Sequence, residues 1–134
     1  MKNHIVIDTN MFILLIIGLI NKERISTISK RTKMYTEDDF NFLIEYIPSD
    51  FKNIVTNPNI WTEVDNLLNN SLSGEYKLKY IEIIKKIVMY SEEVYSETKE
   101  ALKYNFFYDI GLTDSIILNL AKNCKIFISD DSKL

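Results

Sequence analysis

The chain has 134 residues, of which 46% are hydrophobic and 26% charged. That is enough for one globular domain, residues 1–134, whose core needs no disulfide or structural metal. The single cysteine, Cys124, excludes an internal disulfide and favours a reducing compartment, so we expect a cytoplasmic protein. The net charge of −3 counts weakly against nucleic-acid binding, because proteins that bind nucleic acids are more often basic.

The N-terminal segment predicts a buried strand over residues 4–8, which ends in an acid, Asp8. Residues 10–20 predict a helix that is apolar on nearly every side and therefore buried. This run has about half the length needed to cross a bilayer, and no signal-peptide cleavage site follows it, so we expect no membrane association. Its apolar surface exceeds what a small domain must bury alone, so we expect a protein partner or a homodimer.

A polar and basic stretch over residues 21–36 is predicted to contain a turn. A solvated loop is its simpler interpretation, but its cations could also contact phosphate groups of a substrate. These candidate cations are Lys30, Arg31 and Lys33.

An amphipathic helix follows. Thr36 and Asp39 are predicted to form a capping box at its start, and Pro48 ends it. Its first turn is strongly acidic, and the helix dipole explains those acids better than a metal does. Beyond it we predict a strand over 53–57, a helix that begins at Pro58, helices over 76–90 and 92–104, a loop over 105–112, a helix over 113–122 and a strand over 124–129.

Alternating strands and helices, with apolar strands, predict the α/β class. We expect a three-layer sandwich with a central, mostly parallel sheet flanked by helices. Sites in such folds gather at the carboxyl ends of the strands, and acids occupy those positions here. Asp8 follows the first strand, Asp130 and Asp131 follow the last, Glu63 lies early in one helix and Asp114 begins another.

Each of these acids alone has an ordinary explanation as a helix-start or surface charge. Together they would repel one another unless cations lay between them, and carboxylate-rich sites suit Mg²⁺ or Mn²⁺. His4 and Cys124 are the only residues of their kinds, so a Cys/His zinc site is excluded. A Ser-His-Asp triad is excluded because the one histidine lies before the first strand and no nucleophile elbow is present, and there is no glycine-rich phosphate loop. Phosphatases that form an aspartyl-phosphate need a second acid where this chain has Asn10.

Four segments, IVIDTNMF, NPNIWTEVDNLL, GLTDSIIL and IFISDDSKL, resemble the four acidic motifs of PIN domains. These are metal-dependent ribonucleases that include toxins of bacterial and archaeal toxin–antitoxin pairs. The resemblance runs from residue 4 to the C-terminus in the family's order. It implies an acid quartet of Asp8, Glu63, Asp114 and Asp131, with Asp130 as the alternative to the last, and supporting polar residues Thr9, Asn10 and Ser129.

The resemblance further implies one or two Mg²⁺ or Mn²⁺ ions and an endoribonuclease that hydrolyses RNA to products with 5′-phosphate and 3′-hydroxyl ends. An antitoxin protein would be its partner. PIN domains usually continue beyond the fourth acid with another strand, whereas this chain ends at Leu134, so the resemblance implies a missing C-terminal strand, through either shortening or natural trimming. The alternative function is a catalytically silent PIN-like binding or scaffold module.

Overall fold

A computed structural model of the chain describes residues 4–95, 98–102, 111–122 and 126–129. The predicted fold class is confirmed: the protein is an α/β sandwich with a central, fully parallel sheet flanked by helices. In chain order the elements are β1 (Ile5–Ile7), α1 (Thr9–Asn21), α2 (Ile25–Ile28), α3 (Glu37–Ile44), β2 (Ile54–Thr56), α4 (Pro58–Leu68), α5 (Gly74–Tyr90), β3 (Glu92–Glu93), α6 (Thr98–Ala101), α7 (Leu112–Ala121) and β4 (Ile126–Ile128).

The strands lie in the order β3-β2-β1-β4, so β1 occupies an inner position and β4 an edge. Ile5 pairs with Ile54 on one side and with Ile126 on the other. Because all the pairs are parallel, the carboxyl ends of the strands share one side of the sheet, which we call the carboxyl edge. The residues that follow β1, β2 and β4 therefore lie side by side along it.

Helix α1 is the centre of the core. Ten of its thirteen residues are buried, and it packs against α3, α4 and α5. Its apolar composition is thus accounted for within one chain and does not by itself require a partner, and the homodimer stays a prediction. Gly18 allows α1 to pack closely against α3, because a Cβ at this position would lie 2.0 Å from Cδ1 of Phe40.

The predicted capping box of α3 is confirmed. The Asp39 backbone N–H donates to the Thr36 hydroxyl at 3.3 Å, and the Thr36 backbone N–H donates to the Asp39 carboxylate at 2.8 Å. Reciprocal bonds of this kind satisfy donors that a helix start would otherwise leave unpaired. The acids of this first turn are thereby explained as helix-start residues.

The predicted helix over 92–104 is wrong at its start. Glu92 and Glu93 form strand β3 instead, which pairs in parallel with Val55 and Thr56 of β2. The Val94 backbone N–H then donates to the Thr56 carbonyl at 2.8 Å. Pairing with the open side of β2 thus prevails over the intrinsic helix propensity of glutamate, as tertiary context often does. Helix α6 covers part of the remaining range, and residues 96–97 and 103–104 lie outside the described residues.

The remaining predicted elements agree with the structure to within a few residues where they are described. The predictions for residues 105–110, in the loop, and 124–125, in the last strand, fall outside the described ranges. Within the described part of the chain, no helix has the combination of length and apolar content that crossing a membrane requires.

Candidate functional site

Asp8 is a buried carboxylate, 3% exposed, at the carboxyl edge. It is the N-cap of α1: its Oδ1 accepts the backbone N–H of Met11 at 2.9 Å. Its Oδ2 accepts the hydroxyl of Ser129. Its own backbone N–H donates to the Ile128 carbonyl at 3.0 Å. The helix N-terminus and these hydrogen bonds compensate the charge that the apolar surroundings would otherwise penalise.

Of the three predicted supporting residues, Ser129 contacts Asp8 directly. It can do so because β4 lies beside β1, which brings the two strand exits together although 121 positions separate them in the chain. Thr9 is also buried, and within the described part of the chain its hydroxyl has no hydrogen-bond partner. Asn10 is exposed.

Glu63 and Asp114 lie on two helices that contact each other, α4 and α7. Glu63 lines a cleft of about 280 Å³ together with Thr113, the neighbour of Asp114. Both acids are partly exposed. Gly111 is the N-cap residue that precedes α7, and its φ of 85° is unfavourable for residues with a side chain. This glycine therefore permits the turn that presents Asp114 in the first turn of α7.

Two partial groups of oxygen donors thus lie at this side of the molecule, the Asp8–Ser129 pair and the cleft of Glu63 and Thr113. Carboxylates and hydroxyls are in kind the ligands that Mg²⁺ and Mn²⁺ prefer. Among the described residues, however, no three or more His, Cys, Asp or Glu side chains come close enough together to hold a metal ion. The fourth predicted acid, Asp131, and its alternative, Asp130, lie outside the described residues.

The predicted substrate-binding cations are divided between two clefts. Lys30 and Arg31 line one of about 550 Å³ with Leu67, close to the C-terminal end of α4. Lys33 lines another, of about 400 Å³. Helix α4 starts at the carboxyl edge and rises about 1.5 Å per residue, so the cleft beside Leu67 lies about 14 Å along the helix from its start at Pro58. Contact of these cations with substrate stays a prediction.

The sequence analysis did not single out Asn57, which occupies the strand exit next to Asp8. Its side chain is 1% exposed, and its Oδ1 caps α4 by accepting the Asn59 backbone N–H at 2.8 Å. Its Nδ2 donates to the Val94 carbonyl at 2.8 Å and so ties β2 to the segment after β3. The sequence does indicate this cap, since asparagine before proline is typical of a helix start.

No family model, curated protein or solved structure matches the chain significantly. The resemblance to PIN domains therefore rests on the four motifs quoted above.

Proposed function

We propose that the protein is a metal-dependent endoribonuclease with Asp8 at the centre of its site. The observation that carries this proposal is the burial of a carboxylate at the carboxyl edge of an inner strand, bonded to the hydroxyl that follows the neighbouring strand. Burying a charge is unfavourable by several kcal/mol unless partners compensate it. A neutral asparagine would cap the helix as well, so capping alone does not account for the charge.

In this proposal Asp8 and Asp114 hold one or two Mg²⁺ or Mn²⁺ ions, while Glu63 and Asp131, or Asp130 in its place, act directly or through water. Such ions, when bound, lower the pKa of a bound water and stabilise charge on the leaving oxygen of a phosphodiester.

The chain's own residues would supply position and charge. Ser129 fixes the orientation of the Asp8 carboxylate, a role that outer partners of metal ligands commonly have. A polyanionic RNA would approach acids that repel it, and a bound cation would reverse the local sign of the potential. The proposed toxin role and the antitoxin partner are supported by the motif resemblance alone.

The test is cleavage of labelled single-stranded RNA by the full chain in Mn²⁺ or in EDTA, with Asp114→Asn as the diagnostic variant. We expect cleavage in Mn²⁺ with 5′-phosphate products, loss of cleavage in EDTA, and loss in Asp114→Asn without unfolding. Glu82→Gln is the matched control, since Glu82 is an exposed acid on α5, and it should cleave as the wild type does. Full activity of Asp114→Asn, or cleavage that survives EDTA, would contradict the proposal.

A silent binding or scaffold module is the second candidate. It is favoured by the lack, within the described ranges, of a group of three metal-ligating side chains, and by the ordinary capping role of Asp8. Titration calorimetry with Mn²⁺ separates the two functions. A folded protein that neither binds Mn²⁺ nor cleaves RNA would favour the module, whereas Mn²⁺ binding that Asp8→Asn abolishes would favour the nuclease.

A further inference from the structure

An apolar groove of about 430 Å³ runs between the edge strand β4 and helix α3, away from the cleft of Glu63. Met11 and Leu14 of α1 line it, as do Phe42 and Leu43 of α3 and Tyr46 just beyond that helix. Phe42 is 65% exposed and Tyr46 42% exposed, and their rings contact each other edge to face with centroids 5.5 Å apart. A paired aromatic surface of this kind beside a groove is typical of a binding site.

The groove follows the edge of the sheet rather than one of its faces. Side chains of a strand alternate between the two faces, yet all three residues of β4, Ile126, Phe127 and Ile128, line the groove. A groove that touches consecutive residues of β4 as well as α1 and α3 reaches the open side of this strand. That side is open because, among the described strands, β4 pairs with β1 alone.

The hydrogen-bonding groups on this open side can be assigned. The Ile126 backbone N–H donates to His4 and the Ile128 carbonyl accepts from Asp8, so both residues direct their backbone groups toward β1. Backbone groups of alternate residues in a strand point the same way. The N–H and carbonyl of Phe127 therefore point out of the sheet, toward the groove, and offer one donor and one acceptor to an added strand.

The charge of the groove's helical wall restricts what can bind there. Residues 37–47 contain four acids, Glu37, Asp38, Asp39 and Glu45, and no lysine or arginine. Asp39 is the only charged side chain among the described residues that line the groove. A second copy of the chain paired symmetrically through this groove would bring the same acidic helix against this one, and the like charges would oppose that pairing. A basic occupant would be attracted.

We propose that this groove binds an extended, basic segment of a partner protein, which adds a strand to β4 through the backbone of Phe127. Apolar side chains of that segment would pack against Phe42 and Tyr46, and its lysines or arginines would lie beside the acidic start of α3. This is the mode of strand addition, in which main-chain bonds give affinity and side-chain contacts give selectivity. The groove reaches Ser129, the partner of Asp8, but the proposal does not depend on nuclease activity, because it uses none of the acids at the carboxyl edge.

The first test uses fluorescent nine-residue peptides of alternating valine and lysine, or valine and glutamate, in anisotropy titrations with the full chain. We expect the lysine peptide to bind at least about tenfold more tightly than the glutamate peptide at low salt, with the difference shrinking as salt rises. Equal binding of the two peptides, or no binding of the lysine peptide, would overturn the proposal.

The second test asks whether the backbone takes part. In two versions of the lysine peptide, alternate amides are N-methylated, on one edge of the extended chain or on the other. Since strand addition uses the amides of a single edge, one version should lose at least about tenfold in affinity and the other should not. Retention of affinity by both versions would show docking through side chains alone and would overturn strand addition.

The third test locates the site and checks for a second copy as the occupant. Phe42→Ala should weaken the lysine peptide about tenfold, whereas Leu78→Ala should not, because Leu78 is equally exposed, at 65%, but lies on α5 outside the groove. Sedimentation of both variants gives the oligomeric state. A wild-type dimer that Phe42→Ala converts to monomer would identify the occupant as a second copy and would overturn the proposal.

Discussion

At two adjacent strand-to-helix junctions on the carboxyl edge, different side chains cap the helix that follows the strand. At the β1–α1 junction Asp8 caps the helix with one oxygen and accepts the Ser129 hydroxyl with the other. At the β2–α4 junction Asn57 caps the helix with its oxygen and donates its amide to the Val94 carbonyl. Both side chains are almost fully buried, at 3% and 1% exposure.

The difference is one of charge rather than of structural role. At the second junction a neutral amide satisfies both the helix and the neighbouring segment, so a buried cap in this fold does not need a carboxylate. Asparagine and aspartate are about equally good N-caps. Capping alone therefore does not account for the charge of Asp8, and in the proposed function this charge is the part that would hold a cation.

The largest expected effect comes from making the first junction resemble the second, with Asp8→Asn. We expect RNA cleavage in Mn²⁺ to fall by about a thousandfold or more, because the amide lacks the charge that attracts the metal. The free energy of unfolding should fall by no more than about 1 kcal/mol, since asparagine retains the cap while the hydrogen bond from Ser129 is weakened or lost. Cleavage rates and urea unfolding measure the two quantities. Unfolding of the variant would show that the charge serves stability instead.

The reverse change, Asn57→Asp, should destabilise the protein without removing activity from the molecules that fold. It replaces the amide donor by a carboxylate oxygen that faces the Val94 carbonyl, a cost of about 3 kcal/mol in a buried site. Urea unfolding measures the loss. Asn70→Asp is the control, because Asn70 is exposed beyond the end of α4 and the same substitution there should change stability little. Equal stability of both variants would mean that the amide of Asn57 contributes nothing.

Ser129→Ala removes the partner that only the first junction has. We expect cleavage to fall by about tenfold, an effect typical of residues that orient a metal ligand. The free energy of unfolding should fall by about 1 kcal/mol for the lost hydrogen bond. The control is Tyr80→Phe, which likewise removes a hydroxyl that donates to a carboxylate, that of Asp65, and should leave cleavage unchanged. Unchanged cleavage in Ser129→Ala would contradict the proposal that Ser129 positions the Asp8 carboxylate.

The two junctions also show what the sequence could and could not predict. The exits of β1 and β2 were located because three-residue apolar, β-branched strands are recognisable, and parallel strands bring their exits to one edge. The contact between Ser129 and Asp8 depends on which strands are neighbours, which no local pattern encodes. For the same reason β3 was missed: glutamates at positions 92 and 93 favour no strand until β2 offers them an open side.

The smallest expected effect concerns the residue after each cap, which is Thr9 at the first junction and Pro58 at the second. Proline leaves no polar side chain to satisfy, whereas the buried Thr9 hydroxyl has no hydrogen-bond partner among the described residues. Thr9→Val, nearly the same in shape, should therefore raise the free energy of unfolding by up to about 1 kcal/mol.

If the Thr9 hydroxyl serves the proposed site, the same Thr9→Val variant should cleave RNA severalfold more slowly although it unfolds at a higher urea concentration. Such an exchange of activity for stability is common at functional sites. Thr9→Ser keeps the hydroxyl and should retain cleavage. A Thr9→Val protein that is more stable and fully active would show that this hydroxyl has no part in the chemistry. The features of the first junction that remain as candidates for the chemistry would then be the charge of Asp8 and its contact with Ser129.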